Sequence, residues 1–126
     1  MILDASAIVA VVRLEPEGRS FESAIERART NGLSAATLLE TALVLGPALD
    51  LTLDRFIAMA RITVEPVTEA QARLARTAYR RYGRGSGHPA RLNFGDCFSY
   101  ALAVDKREPL LFKGNDFSQT DVLVAP

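Results

Sequence analysis

The chain has one cysteine, Cys97, one histidine, His88, no tryptophan and only two lysines among its 126 residues. A lone cysteine makes no internal disulfide and excludes any multi-cysteine zinc or iron-sulfur site, which points to a reducing, cytoplasmic setting. Long apolar runs are missing too. The longest stretch free of Asp, Glu, Lys and Arg is ten residues, Thr30 to Leu39, where a membrane-spanning helix needs about 20. The opening Met-Ile-Leu-Asp-Ala-Ser-Ala carries Asp4 and no basic stretch, so it does not read as a secretion signal. Net charge is absent as well: fifteen basic side chains balance fifteen acidic ones, which excludes a histone-like protein or an acidic disordered tail. What remains is a chain 48% hydrophobic, sized for one domain over residues 1–126 that buries about two-thirds of its surface.

Met1 to Leu3 reads as a short buried strand and Ala5 to Val12 as a helix. Glu15-Pro16-Glu17 opens a second helix, since proline and early acids suit a first turn, and Phe21, Ile25 and Ala28 share one face. Asn31-Gly32 ends it, and Gly32 to Ser34 forms the next strand. The apolar helix Ala36 to Leu45 is broken by Gly46-Pro47, and another runs from about Leu49 to Arg61. Ile62 to Val67 alternates as a strand, and Thr68 with Gln71 makes a capping box for a helix reaching Tyr82. Gly83 to Asn93 holds three glycines and a proline and reads as a mobile loop before a helix from about Phe94 to Lys106. Leu110 to Phe112 is a fourth strand, Gly114-Asn115-Asp116 a turn, Phe117 to Gln119 one helical turn, and Val122 to Val124 a last short strand. This alternation predicts an α/β protein, a three-layer α/β/α sandwich around a mainly parallel sheet. Ligands in such folds bind beyond the carboxyl ends of the strands.

Four acids fall at that edge. Asp4 follows the first strand, Asp116 comes shortly after the fourth, Asp96 lies in the first turn of a helix, and Glu40 about one turn into another. Taken singly, each has a structural explanation: Asp4 and Asp116 as caps, Asp96 as an answer to a helix dipole, Glu40 on a solvent face shared with Thr37 and Thr41. Taken together they repel. Two carboxylates about 5 Å apart cost roughly 3 kcal/mol at an effective dielectric of ~20. No lysine adjoins Asp4, Glu40 or Asp96, so a divalent cation is the simplest remedy, and hard oxygen donors select Mg²⁺ or Mn²⁺ over zinc. Such an ion activates a phosphodiester toward water.

Between Glu69 and Asp96 there is no acid, yet Arg73, Arg76, Arg80, Arg81, Arg84 and Arg91 all lie there. Positions 73, 76, 80 and 84 follow helical spacing and make one positive face. Nucleic-acid phosphates suit it, with Tyr79 and Tyr82 as rings on which an unpaired base can stack. A solvated helix paired with acids elsewhere, or a surface facing an acidic protein, explains the same pattern. Thirteen of the fifteen basic residues are arginine, which also fits a GC-rich coding sequence. His88 reads as a loop residue and Cys97 as packing rather than a nucleophile. Gly83-Arg84-Gly85-Ser86-Gly87 is neither a dinucleotide-binding nor a Walker loop.

Ile2-Leu3-Asp4-Ala5-Ser6-Ala7, Leu38-Leu39-Glu40-Thr41, Asn93-Phe94-Gly95-Asp96-Cys97-Phe98-Ser99-Tyr100-Ala101 and Leu111-Phe112-Lys113-Gly114-Asn115-Asp116-Phe117 resemble, in this order, the VapC toxins, which are PIN-domain ribonucleases. The resemblance covers nearly the whole chain, with Ala5 where threonine is common. It implies a Mg²⁺- or Mn²⁺-dependent endoribonuclease whose metal ligands fall on Asp4, Glu40, Asp96 and Asp116. Ser6 matches the family's hydroxyl near the metal, Asn115 a polar neighbour of the last acid, and Asp121 a further accessory acid. The resemblance also implies a homodimer, and a VapB-like antitoxin whose tail can insert a basic residue among the acids. Arg73, Arg76, Arg80 and Arg84 would then serve RNA. A receiver-type phosphoacceptor domain shares the length, layering and acid cluster, but it wants adjacent acids after the first strand and an Asp after a central one. A non-catalytic RNA- or protein-binding module is a third reading, against which the intact acids argue.

Overall fold

The computed structural model describes residues 1–126. Strand β1 (Ile2–Leu3) leads into helices α1 (Ala5–Val12) and α2 (Gly18–Arg27), and β2 (Asn31–Ser34) into α3 (Ala35–Leu45) and α4 (Asp50–Met59). Then β3 (Ile62–Glu65) leads into α5 (Glu69–Tyr82) and α6 (Asp96–Lys106), and β4 (Leu110–Leu111) completes the sheet. All neighbours pair in parallel, in the order β3-β2-β1-β4. Side chains alternate across a strand, so Leu3 and Leu111 enter one core with Ile8, Ile25 and Leu53. Ile2 and Leu110 enter the other with Tyr82, Leu102 and Phe117. Helices α1 to α4 cover the first face and α5 and α6 the second, which is the expected three-layer sandwich. Leu3, Ile8 and Leu33 are fully excluded from water, and each such burial contributes roughly 1.5–3 kcal/mol.

Several boundaries differ from the sequence reading, each for a packing reason. Helix α2 starts at Gly18 rather than at Glu15-Pro16, because its first turn presses on α1: a Cβ at Gly18 would come within 2.6 Å of the Ala10 carbonyl oxygen. Strand β3 stops at Glu65, before Pro66, which has no N–H for the ladder. The predicted last strand shrinks to a single parallel bridge between Leu110 and Val124. The glycine loop is pinned rather than loose at its base. Gly83 pairs with Leu92, the Leu92 N–H donates to the Tyr82 carbonyl at 2.9 Å, and Ala90 and Leu92 are buried. Gly85 and Gly87 take φ of +87° and +82°, which lets the chain double back between those anchors.

Candidate active site

Asp4 directly follows β1, which has a neighbour strand on each side, so its carboxylate sits at the middle of the sheet's carboxyl edge. It caps α1: one carboxylate oxygen accepts from the Ser6 N–H at 2.9 Å and the Ser6 hydroxyl at 2.6 Å. The other oxygen is buried without a partner. Ser6 Oγ also accepts from the Lys113 N–H at 3.0 Å, which ties Asp4 to the loop leading to Asp116.

Asp96 opens α6 in a reciprocal box with Asn93. The Asn93 N–H donates to Asp96 at 2.7 Å, and the Asp96 N–H donates to Asn93 Oδ1 at 2.9 Å. One carboxylate oxygen is thus used for orientation and the other is free. Glu40 reaches this point from α3, and its carboxylate lies where any side chain on Gly95 would have to go. Glu40 Oε2 is buried without a hydrogen bond. Asn93 and Gly95 stand in one of the blocks that carry the resemblance, but the sequence assigned neither a role, although Asn three residues before an acid is a cap signature. The solvent face that Glu40 was to share with Thr37 and Thr41 does not exist. Both threonines are fully buried, Thr37 against Ser99 at 3.1 Å and Thr41 on the Thr37 carbonyl at 2.7 Å. Leu39 and Leu43 take the solvent instead, 60% and 74% exposed.

The charges act on one another. Burial, then Asp4 and Asp96, push the Glu40 carboxyl up to about 7. Burial pushes Asp96 up to about 6; the Asn93 N–H opposes this, Asp4 and Asp116 add to it, and Arg84 offsets part of it. Asp4, Glu40, Asp96 and the exposed Asp116 therefore share one electrostatic site. No three of these side chains are gathered around a single point as metal ligands. The donor set nevertheless suits a hard cation: carboxylates only, two of them with a buried orphan oxygen.

The remaining predicted residues divide. Asn115 is exposed beside Asp116, its carbonyl accepting from Ser118 Oγ at 2.6 Å. Asp121 is held elsewhere, by the Tyr100 hydroxyl at 2.6 Å and Arg81 at 3.5 Å, and its charge is not among those acting on Glu40 or Asp96. Arg73 pairs with Glu69 at 2.6 Å, whereas Arg76, Arg80 and Arg84 are exposed and form no ion pair. Tyr79 keeps 42% of its surface in water, but Tyr82 is buried and offers no stacking face. The Cys97 thiol, pushed up to about 11 by burial and then by Asp96, is not nucleophilic.

A family model described as PIN domain matches residues 1–123. The chain belongs to the PIN-domain family. Within it, this PIN domain is of the VapC type. It is 56% identical over 126 residues to VapC ribonuclease Mb0625 of Mycobacterium bovis and to Ribonuclease VapC28 of Mycobacterium tuberculosis, covering 97% of this chain and 95% of theirs. Among solved structures, Mycobacterium tuberculosis VapC20, a sarcin-ricin loop cleaving toxin, superposes with a TM-score of 0.77 at 19% identity, over 99% of this chain and 98% of that one. A toxin-antitoxin complex from Klebsiella pneumoniae gives 0.71 at 18%, over 98% and 94%. These two support the PIN fold. The receiver reading falls away, since β3 is an edge strand, its last residue Glu65 is paired with Lys106 at 3.1 Å, and Pro66-Val67-Thr68 follow with no aspartate.

Proposed function

We propose that this PIN domain, working as one unit over residues 1–126, is a metal-dependent endoribonuclease and the toxin of a toxin-antitoxin pair. The observation that carries the reading is the coupling of Asp4, Glu40, Asp96 and Asp116 at one sheet edge, in a chain 56% identical to named ribonucleases. Asp4, Glu40 and Asp96 would hold Mg²⁺ or Mn²⁺, and Asp116 would complete the acidic site. Such an ion, when bound, supplies Lewis-acid activation of a phosphodiester and of water. Asp4 is held by Ser6 and Asp96 by Asn93, so two of the ligands are oriented beforehand. Asp116 is exposed on its loop, and its alternative role would be to orient the attacking water. The unpaired arginines of α5 and the glycine loop give the RNA phosphates a track.

The partners follow from surfaces. Leu39, Leu43, Val44 and Phe94 form an exposed apolar patch around a groove of ≈ 440 Å³ beside Glu40, which suits a second copy of the chain. A VapB-like antitoxin with a basic tail would answer the uncompensated acids. No single helix is long and apolar enough to cross a membrane; a toxin acting on RNA beside its antitoxin would work in the cytoplasm. The decisive experiment is RNA cleavage with and without Mg²⁺ or Mn²⁺ by wild type, Asp4→Asn and Asp96→Asn. Asparagine keeps the capping acceptor at both positions, so the folds survive while cleavage is lost. Cleavage retained by both variants would refute the assignment.

A further inference from the structure

One arginine of the stripe differs from the rest. The Arg84 N–H donates to the Leu92 carbonyl at 3.0 Å beside the Gly83–Leu92 bridge, and the next residue along, Asn93, is bonded to Asp96 in both directions. Arg84 is thereby fastened by its backbone to the segment that presents Asp96. Its side chain is exposed and forms no ion pair. Arg73 is occupied by Glu69, and Arg76 and Arg80 lie further back along α5. Beside Arg84, the Tyr79 ring packs over Gly83, where a Cβ would come within 2.7 Å of it. That glycine lets an aromatic ring and the base of the arginine loop share one place, with 42% of Tyr79 still in water.

We infer that Arg84 and Tyr79 form a nucleotide subsite at the lip of the acidic site, in which Arg84 grips the phosphate being cleaved and Tyr79 stacks on an unpaired base next to it. The inference rests on the ribonuclease reading and adds to it two named contacts, a phosphate grip and a base platform. A guanidinium matches two phosphate oxygens at once, and its pull strengthens as charge accumulates there in the transition state. Stacking on one exposed ring requires a base out of its duplex, and it tolerates any sequence.

Two arms test it. In the first, a short single-stranded RNA is cleaved in Mg²⁺ or Mn²⁺ by wild type, Arg84→Ala and Arg84→Lys. Arg84→Ala should lose about 100-fold in kcat, with Arg84→Lys recovering part of it, whereas the loss in Arg76→Ala should fall on KM. An Arg84→Ala enzyme within about threefold of wild type in kcat overturns the role. In the second arm, Tyr79→Trp supplies the only indole in the chain, and its fluorescence is followed as the same RNA, single-stranded or annealed to its complement, is added. Quenching should need about tenfold more of the duplex; no quenching, or equal quenching by both, overturns the stacking assignment. Failure of wild type to cleave any RNA would sink the ribonuclease reading instead, while the binding arm still decides the subsite.

Discussion

Glu40 is a carboxyl raised by burial and by two neighbouring charges. The folded protein holds protons on Glu40 and Asp96 up to about pH 7 and 6, while an unfolded chain releases them near 4.5 and 3.8. The folded state therefore binds more protons across that window, and stability falls as pH rises through it. Without divalent ions, thermal melts should give a lower Tm at pH 8 than at pH 5.5. Glu40→Gln should flatten that slope and stabilise the protein at pH 8 by on the order of 1 kcal/mol, the figure being reduced because Glu40 is half in water. A Tm rising from pH 5.5 to 8 would contradict the mutual repulsion. Gly95 provides the companion test, because a methyl group there occupies the volume of the Glu40 carboxylate. Gly95→Ala should leave the far-UV spectrum unchanged and lower metal-dependent cleavage at least about tenfold. That four acids fall near one edge was legible in the sequence, because Asp4 and Asp116 follow strands and Glu40 and Asp96 lie early in helices. The need for glycine at 95 was not, since it depends on a side chain 55 positions away.

Elements were legible where periodicity and capping agreed, and misread where tertiary contacts chose the face. Thr68 and Gln71 marked the start of α5, and the Gln71 N–H does donate to Thr68 Oγ1 at 3.2 Å. Helix α3 went the other way: its threonines are inside and its leucines outside, because Thr37 bonds Ser99 and Thr41 bonds its own helix. The arginine spacing on α5 was plain, but only coordinates show that Glu69 has taken Arg73. The element-level expectation follows from that difference. Arg76→Ala should reduce the salt dependence of single-stranded RNA binding by about 0.7 in the log–log slope, as the loss of one phosphate contact does. Arg73→Ala should change it less, since its guanidinium is already neutralised. Equal slopes for both variants and wild type, measured by fluorescence anisotropy over a salt series, would remove α5 from the RNA track.

At the scale of the molecule, the parallel order β3-β2-β1-β4 delivers Asp4, Glu40, Asp96 and Asp116 to one side, and α3 leaves its leucines beside them. If that apolar patch joins two copies, Leu43→Glu should convert a dimer to a monomer in light scattering; a wild type already monomeric at high concentration would dismiss the interface. The larger claim is that the acids are a divalent-cation site. Calorimetric titration of Mn²⁺ into wild type, Asp4→Asn and Asp96→Asn measures it without any RNA. Uptake by wild type with proton release near pH 7, where Glu40 is about half protonated, and affinity at least about tenfold weaker in both variants is the predicted result. No heat from wild type, or identical isotherms for all three proteins, would contradict it.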